Sequence, residues 1–138
     1  MDDTDDSENI AVVRAMHRAR NELRLGDMLA YLDRNVLWFP TMRPGRSMYE
    51  GHGGTLQMLA DLEELVGTVR VEYDYEDHGD GQVYGFGKVV RLDRNGEIQG
   101  AEQSASTYVL RNGLVVRGES VEGAALAEQQ VPPAGVPV

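Results

Sequence analysis

The stretch VRVEYDYEDHGDGQVYGFGKVVRLDRNGEIQGAEQSASTYVLRNGLVVRGESV, residues 69–121, decides the fold. Val69, Val71 and Tyr73 alternate with Arg70, Glu72 and Asp74, and a period of two marks a strand with one wet face. His78-Gly79-Asp80-Gly81 reads as a turn, residues 82–92 as a second strand and Asp93-Arg94-Asn95-Gly96 as a hairpin turn. Residues 97–110 form a long third strand, and Arg111-Asn112-Gly113 turns into a fourth over 114–121. The Asn-Gly pairs at 95–96 and 112–113 suit the left-handed backbone that tight hairpins need. Four strands joined this way make an antiparallel meander.

The period upstream is different. Ser7 can cap a helix in which Ile10, Val13, Met16, Ala19 or Arg20, and Leu23 recur at helical spacing, with Gly26 as its stop. A shorter helix is expected over 27–33, turning Met28, Leu29 and Leu32 inward. Residues 36–39 are a short β-rich run stopped by Pro40, followed by a loop over 41–47. Gly51, Gly53 and Gly54 then precede a third helix with Leu56, Leu59, Leu62, Leu65 and Val66 at steps of three and four, ended by Gly67. A last helical segment is expected over 124–128. Helices segregated ahead of a run of strands specify an α+β fold: three N-terminal helices packed on one face of a curved antiparallel sheet. Such a sheet forms a cone, packed at its base, whose mouth can hold a small, mostly apolar molecule.

Composition sets the outer limits. A chain of 138 residues suits one domain, and 41% hydrophobic residues suffice for a core. No apolar run approaches the ~18–20 residues needed to cross a bilayer, and the acidic start has the wrong charge for a signal peptide. A cytoplasmic protein without a membrane partner is the expectation. With no cysteine there is no disulfide, thiolate nucleophile or Cys-ligated metal. A net charge of −10 argues against nucleic acid, whose phosphates need clustered Lys and Arg. Residues 1–8 hold five acids and no base, half of that charge, and read as a disordered, solvated tail. Residues 128–138 read as a flexible Pro-rich tail, leaving 9–127 as the domain.

Several pieces together resemble the NTF2-like superfamily, which includes SnoaL-like polyketide cyclases and ketosteroid-isomerase-like proteins. They are Leu25-Gly26-Asp27 closing a helix, Asn35-Val36-Leu37-Trp38, and Tyr49-Glu50-Gly51-His52-Gly53-Gly54 at the third helix. The late run Val109-Leu110-Arg111-Asn112-Gly113-Leu114-Val115-Val116 and the Ala125-Leu126 pair complete the set. The resemblance implies a cone-shaped α+β barrel, a pocket for a small cyclic molecule and a homodimer formed through the convex sheet face. It does not specify a reaction, because one fold hosts many. Steroid isomerases of this kind use a helical Tyr, a protonated Asp and an Asp base. Alignment places those three at Ala19, Ser106 and Pro40, none of which can do that chemistry. The Asp–Arg–Asp set of limonene-type epoxide hydrolases is also missing from Tyr84-Gly85-Phe86-Gly87-Lys88.

Other residues keep chemistry open. Glu102, Ser104, Ser106 and Tyr108 share one face of the third meander strand, and the resemblance makes that face concave. Glu102 would serve as a base if burial raised its pKa, or else sits in water at the strand end. His17, beside Met16 on the first helix, and His52, at the entry of the third, are the other acid–base candidates, whereas His78 sits in a turn. The three histidines lack metal-ligand spacing, so no metal or cofactor is expected. Trp38, the only Trp, and Tyr49 either line the pocket or fill the core. Arg20 either meets an anionic ligand or carries its head to the helix edge. Arg117 and Glu119 read as an ion pair. Met16, Ala19, Leu59 and Phe86 complete the expected ligand-binding set. Three functions compete: a proton-transfer enzyme of isomerase, cyclase or dehydratase type, a non-catalytic ligand binder, and a dimeric interaction module.

Overall fold

A computed structural model describes residues 6–40 and 48–121. The loop at 41–47, the helix at 124–128 with its Ala125-Leu126 pair, and the Pro-rich tail lie outside the described residues. The order is α1 (Glu8–Asn21), α2 (Leu25–Leu29), β1 (Leu32–Phe39), β2 (Tyr49–Glu50) and α3 (Gly51–Val66), then β3 (Thr68–Gly79), β4 (Gln82–Leu92), β5 (Ile98–Arg111) and β6 (Leu114–Ser120). The three helices lie on a curved, open six-stranded sheet in the order β2-β1-β6-β5-β4-β3. β3 to β6 pair antiparallel, as the alternation requires, while β1 joins parallel to β6. A parallel neighbour so far away in sequence leaves no turn signature, and the two-residue β2 beside it leaves none either.

Helix α1 begins where its chemistry dictates. The Ser7 hydroxyl accepts from the Ile10 amide at 3.2 Å and donates to the Asp77 carboxylate on β3 at 2.6 Å. Asp6 meets Arg14 at 2.7 and 3.0 Å. Residues 6–8 are therefore part of the fold rather than of a solvated tail. Ile10, Val13, Met16, His17 and Ala19 are buried. The helix stops at Asn21, short of Gly26, because Leu23 takes the left-handed conformation at φ 60°. The Arg24 amide then reaches back to the Ala19 carbonyl at 2.8 Å, closing a Schellman-type reversal without glycine. Leu25-Gly26-Asp27 consequently opens α2 instead of closing α1. Likewise α2 stops at Leu29 because Leu32 is already paired with Val115 of β6.

Helix α3 starts at Gly51, so the glycine-rich entry forms its first turn. Its leucine stripe does not make a conventional core contact. Leu56, Leu65 and Val66 remain exposed, while Met58 and Leu59 pack only partly against the core. The stripe faces a hollow, described below, rather than a filled interior. α1 packs on β3, β4 and β6, and α3 packs chiefly on β1 and β2. Among the described residues, no helix is long and apolar enough to cross a membrane.

Cross-strand register sets large residues opposite glycine. Tyr73 faces Gly87 and Tyr75 faces Gly85 across β3–β4, and both Tyr108 and Trp38 flank Gly118 of β6. A Cβ on Gly85 would come within 2.7 Å of the Tyr73 ring, and one on Gly118 would strike the Trp38 indole. These glycines are the space the aromatic rings occupy. Gly118→Ala is therefore expected to lower stability by about 1–3 kcal/mol through overpacking, read from urea denaturation midpoints.

Candidate functional site

The concave sheet face combines three kinds of residue. β3 contributes Val69, Val71, Tyr73 and Tyr75, β4 contributes little bulk at Gly85 and Gly87, and β5 contributes Ser104, Ser106 and Tyr108. Small residues in mid-sheet leave a hollow of about 260 Å³, roofed by Met16, His17 and Arg20 of α1 and by Met58, Leu59 and Leu62 of α3. Trp38, on β1, forms a side wall. Its indole N–H donates to the Thr55 hydroxyl at 2.8 Å, which donates to the Gly51 carbonyl at 2.8 Å. That chain satisfies both buried side chains and anchors the start of α3 to the sheet.

His17 is the chemical centre of this hollow. It is 7% exposed, with Nδ1 at 2.6 Å from the Tyr75 hydroxyl and Nε2 at 3.0 Å from the Tyr108 hydroxyl. Burial, with a smaller contribution from the Arg20 charge, pushes its pKa down to about 3, so the ring is neutral at pH 7. A neutral imidazole has one N–H and one lone pair, so one tyrosine donates to it while the other accepts. Burial also raises the pKa of Tyr108 and Tyr75, keeping both phenols protonated. Tyr73 adds a hydroxyl 2.5 Å from that of Ser104. The result is a row of neutral donors and acceptors, Tyr75–His17–Tyr108, with His17 and Tyr108 in the wall of the hollow and Tyr75 half-buried beyond them.

The structure brings together Met16, His17, Arg20, Trp38, Leu59, Ser104, Ser106 and Tyr108 from the expected set. The remaining candidates lie elsewhere. Glu102 shares the concave face by parity, but its side chain is 74% exposed, with Arg91 3.6 Å away. β5 carries it beyond the helical roof, so the burial a base would need is missing. His52 points its Nε2 at the Leu32 carbonyl, 3.0 Å away, and ties α3 to β1 outside the hollow. Ala19 is packed in the core, and Tyr49 is buried with its hydroxyl donating to Asp61 at 2.6 Å. Phe86 sits on the convex side, stacked on Tyr84 with centroids 5.5 Å apart. Arg117 does pair with Glu119, at 3.1 Å. Tyr73 and Tyr75 were not singled out as site residues. Flush counting back from the Asp80-Gly81 turn sets Tyr75 opposite Phe86 and Tyr73 opposite Lys88. A bulge between Asp77 and Gly79 shifts the pairing by one residue and brings Gly85 and Gly87 opposite them, so no local signal pointed to these rings.

No protein-family model matches the sequence, and no curated protein matches it either. Solved structures do match. TerC, crystallised with polyporic acid, aligns with a TM-score of 0.73 at 19% identity, over 89% of this chain and 97% of its own. An NTF2-like protein of unknown function from Burkholderia pseudomallei aligns with a TM-score of 0.73 at 22% identity, over 90% and 95%. A Mycobacterium tuberculosis protein in complex with estradiol-17β-hemisuccinate gives 0.67 at 13% identity, over 86% and 95%. The chain has the NTF2-like fold, with a hollow of its own on the concave side.

The neutral state of His17 has a measurable consequence. The unfolded chain protonates this ring near pH 6.5 and the folded protein only near pH 3. Between those values the unfolded state binds the extra proton, so stability falls on acidification by about 1.4 kcal/mol per pH unit. Asp6 and Asp77, whose carboxyls are held below their ordinary values by Arg14 and Ser7 respectively, add acid sensitivity only below about pH 4. In denaturation measured from about pH 6.5 to 4, His17→Gln is expected to lose this slope.

Proposed function

We propose that the hollow binds a small, mostly apolar cyclic molecule and that His17, Tyr108 and Tyr73 carry out a proton transfer on it, of isomerase, cyclase or dehydratase type. One observation carries the reading: a neutral imidazole lies in the cavity wall, held between two phenols that remain protonated. A carbon acid placed beside Nε2 would give its proton to the ring as the ring exchanges Tyr108 for substrate. The Tyr108 and Tyr73 hydroxyls would then donate to the oxyanion that develops. Negative charge on the bound molecule raises the basicity of His17 at that moment, which offsets the low value of the empty site. Tyr75, on the far nitrogen, fixes the ring and passes a proton along the row. The complexes of TerC with polyporic acid and of the mycobacterial protein with a steroid ester support a cyclic ligand. The reading uses no metal and no cofactor.

A non-catalytic binder is the second reading. It is favoured by the exposed position of Glu102 and by Ala19, Pro40 and Ser106 at the isomerase positions. Deuterium exchange separates the two. Wild-type protein is expected to speed deuterium uptake at the α-carbon of a bicyclic ketone such as tetralone, followed by NMR. His17→Gln is expected to lose roughly 100-fold of that rate while quenching of Trp38 still reports binding. Binding without exchange in the wild type would establish the silent binder.

We also infer a cytoplasmic homodimer joined through the convex sheet face, where the Tyr84–Phe86 stack supplies apolar area. Sedimentation is expected to give a dimer for the wild type and a monomer for Phe86→Glu.

A further inference from the structure

The described arginines follow a rule that Arg20 breaks. Arg14, Arg70 and Arg91, all half-buried, face the carboxylates of Asp6, Glu72 and Glu102. The exposed Arg24 and Arg117 are paired too, and Arg34, Arg94, Arg111 and Lys88 stand in solvent. Arg20 is half-buried and has no carboxylate in ion-pair reach among the described residues. Its one hydrogen bond runs from Nη1 to the Val69 carbonyl at 3.3 Å. Four of the five guanidinium N–H donors are left for something else.

Position says what that is. Arg20 lies one helical turn from His17 and lines the same hollow. It also lines a second cavity of about 260 Å³, under Leu23, Leu25 and Leu56, so the two spaces meet at its side chain with Leu59, Leu62 and Val69. Glu63 borders that second space without pairing with Arg20. At the mouth of the first, Glu119 is occupied by Arg117. His17, Tyr75 and Tyr108 are neutral, so among the described residues no unpaired carboxylate in this hollow offsets the cation. A partly desolvated charge with a single weak partner is costly unless a ligand supplies the counter-charge.

We propose that Arg20 is an anion subsite and that the molecule bound in the hollow is a cyclic carboxylic acid, its carboxylate on the guanidinium and its ring between Trp38 and His17. The planar fork of an arginine matches the two oxygens of a carboxylate. This assignment rests on the ligand-binding reading above and names the ligand class.

Phenylacetate and phenylacetamide share a shape and differ in charge. Both can be titrated by the fluorescence of Trp38, the only tryptophan in the chain, and by calorimetry. The acid is expected to bind the wild type on the order of tenfold more tightly than the amide. Arg20→Gln is expected to abolish the preference by weakening the acid far more than the amide, with an unchanged circular dichroism spectrum showing that the variant is folded. Arg20→Lys retains the charge and is expected to keep a preference. Equal affinities in the wild type, or a preference that survives in Arg20→Gln, would overturn the anion subsite and leave the cavity reading intact. If neither compound binds the wild type, the cavity reading falls and takes the subsite with it.

Discussion

The large rings on the concave face of this sheet lie beside glycines on neighbouring strands. Tyr73 and Tyr75 pair with Gly87 and Gly85, and both rings come against Gly85, while the Trp38 indole lies against Gly118, which Tyr108 also faces across the strands. Each pairing does two things at once. It lets a large ring lie along the concave surface instead of standing off it, and it removes bulk from mid-sheet so that the helices rest on the rings and not on the strands. The hollow is what remains. A side chain at Gly85 or Gly118 would run into the Tyr73 or Trp38 ring, both of which line the hollow, so the packing of the sheet and the shape of the site are the same constraint.

The hollow also determines the charge state of what faces it. An imidazole in water would be partly protonated near neutrality; between Tyr75 and Tyr108 it is not, because desolvation penalises the cation and both ring nitrogens already have neutral partners. The same low-dielectric setting keeps the phenols protonated. Acid–base capacity is thus stored in neutral form, and among the described residues the unpaired fixed charge of the site is that of Arg20. In a chain with a net charge of −10, an unneutralised cation at this depth is conspicuous.

Particular elements show what local sequence can and cannot tell. The β3–β6 meander was legible to within a residue or two, because alternation and the Asn-Gly turns are local signals. The end of α1 was not: Leu23, a residue that normally avoids positive φ, takes the place expected for Gly26. The stripe on α3 was legible as apolar, but periodicity reports a side that avoids water and not whether protein or empty space lies opposite. Glu102 shows the same limit on a strand. Parity gave its face; the length of the helical roof decided that it stays in water.

By itself, the order of periodicities determined an α+β chain with helices ahead of a meander, and the meander's hairpin turns determined which strands are neighbours. A bulge near each turn shifts the register, and the rows of rings and glycines follow from those bulges. Tertiary structure alone decided that β1 runs parallel beside β6, that α1 delivers His17 between two tyrosines distant in sequence, and that Arg20 has no carboxylate partner among the described residues. Strand pairing across a short turn is set by neighbours a few residues apart. Burial, protonation and charge pairing depend on what arrives from elsewhere in the chain, and no local pattern carries that information.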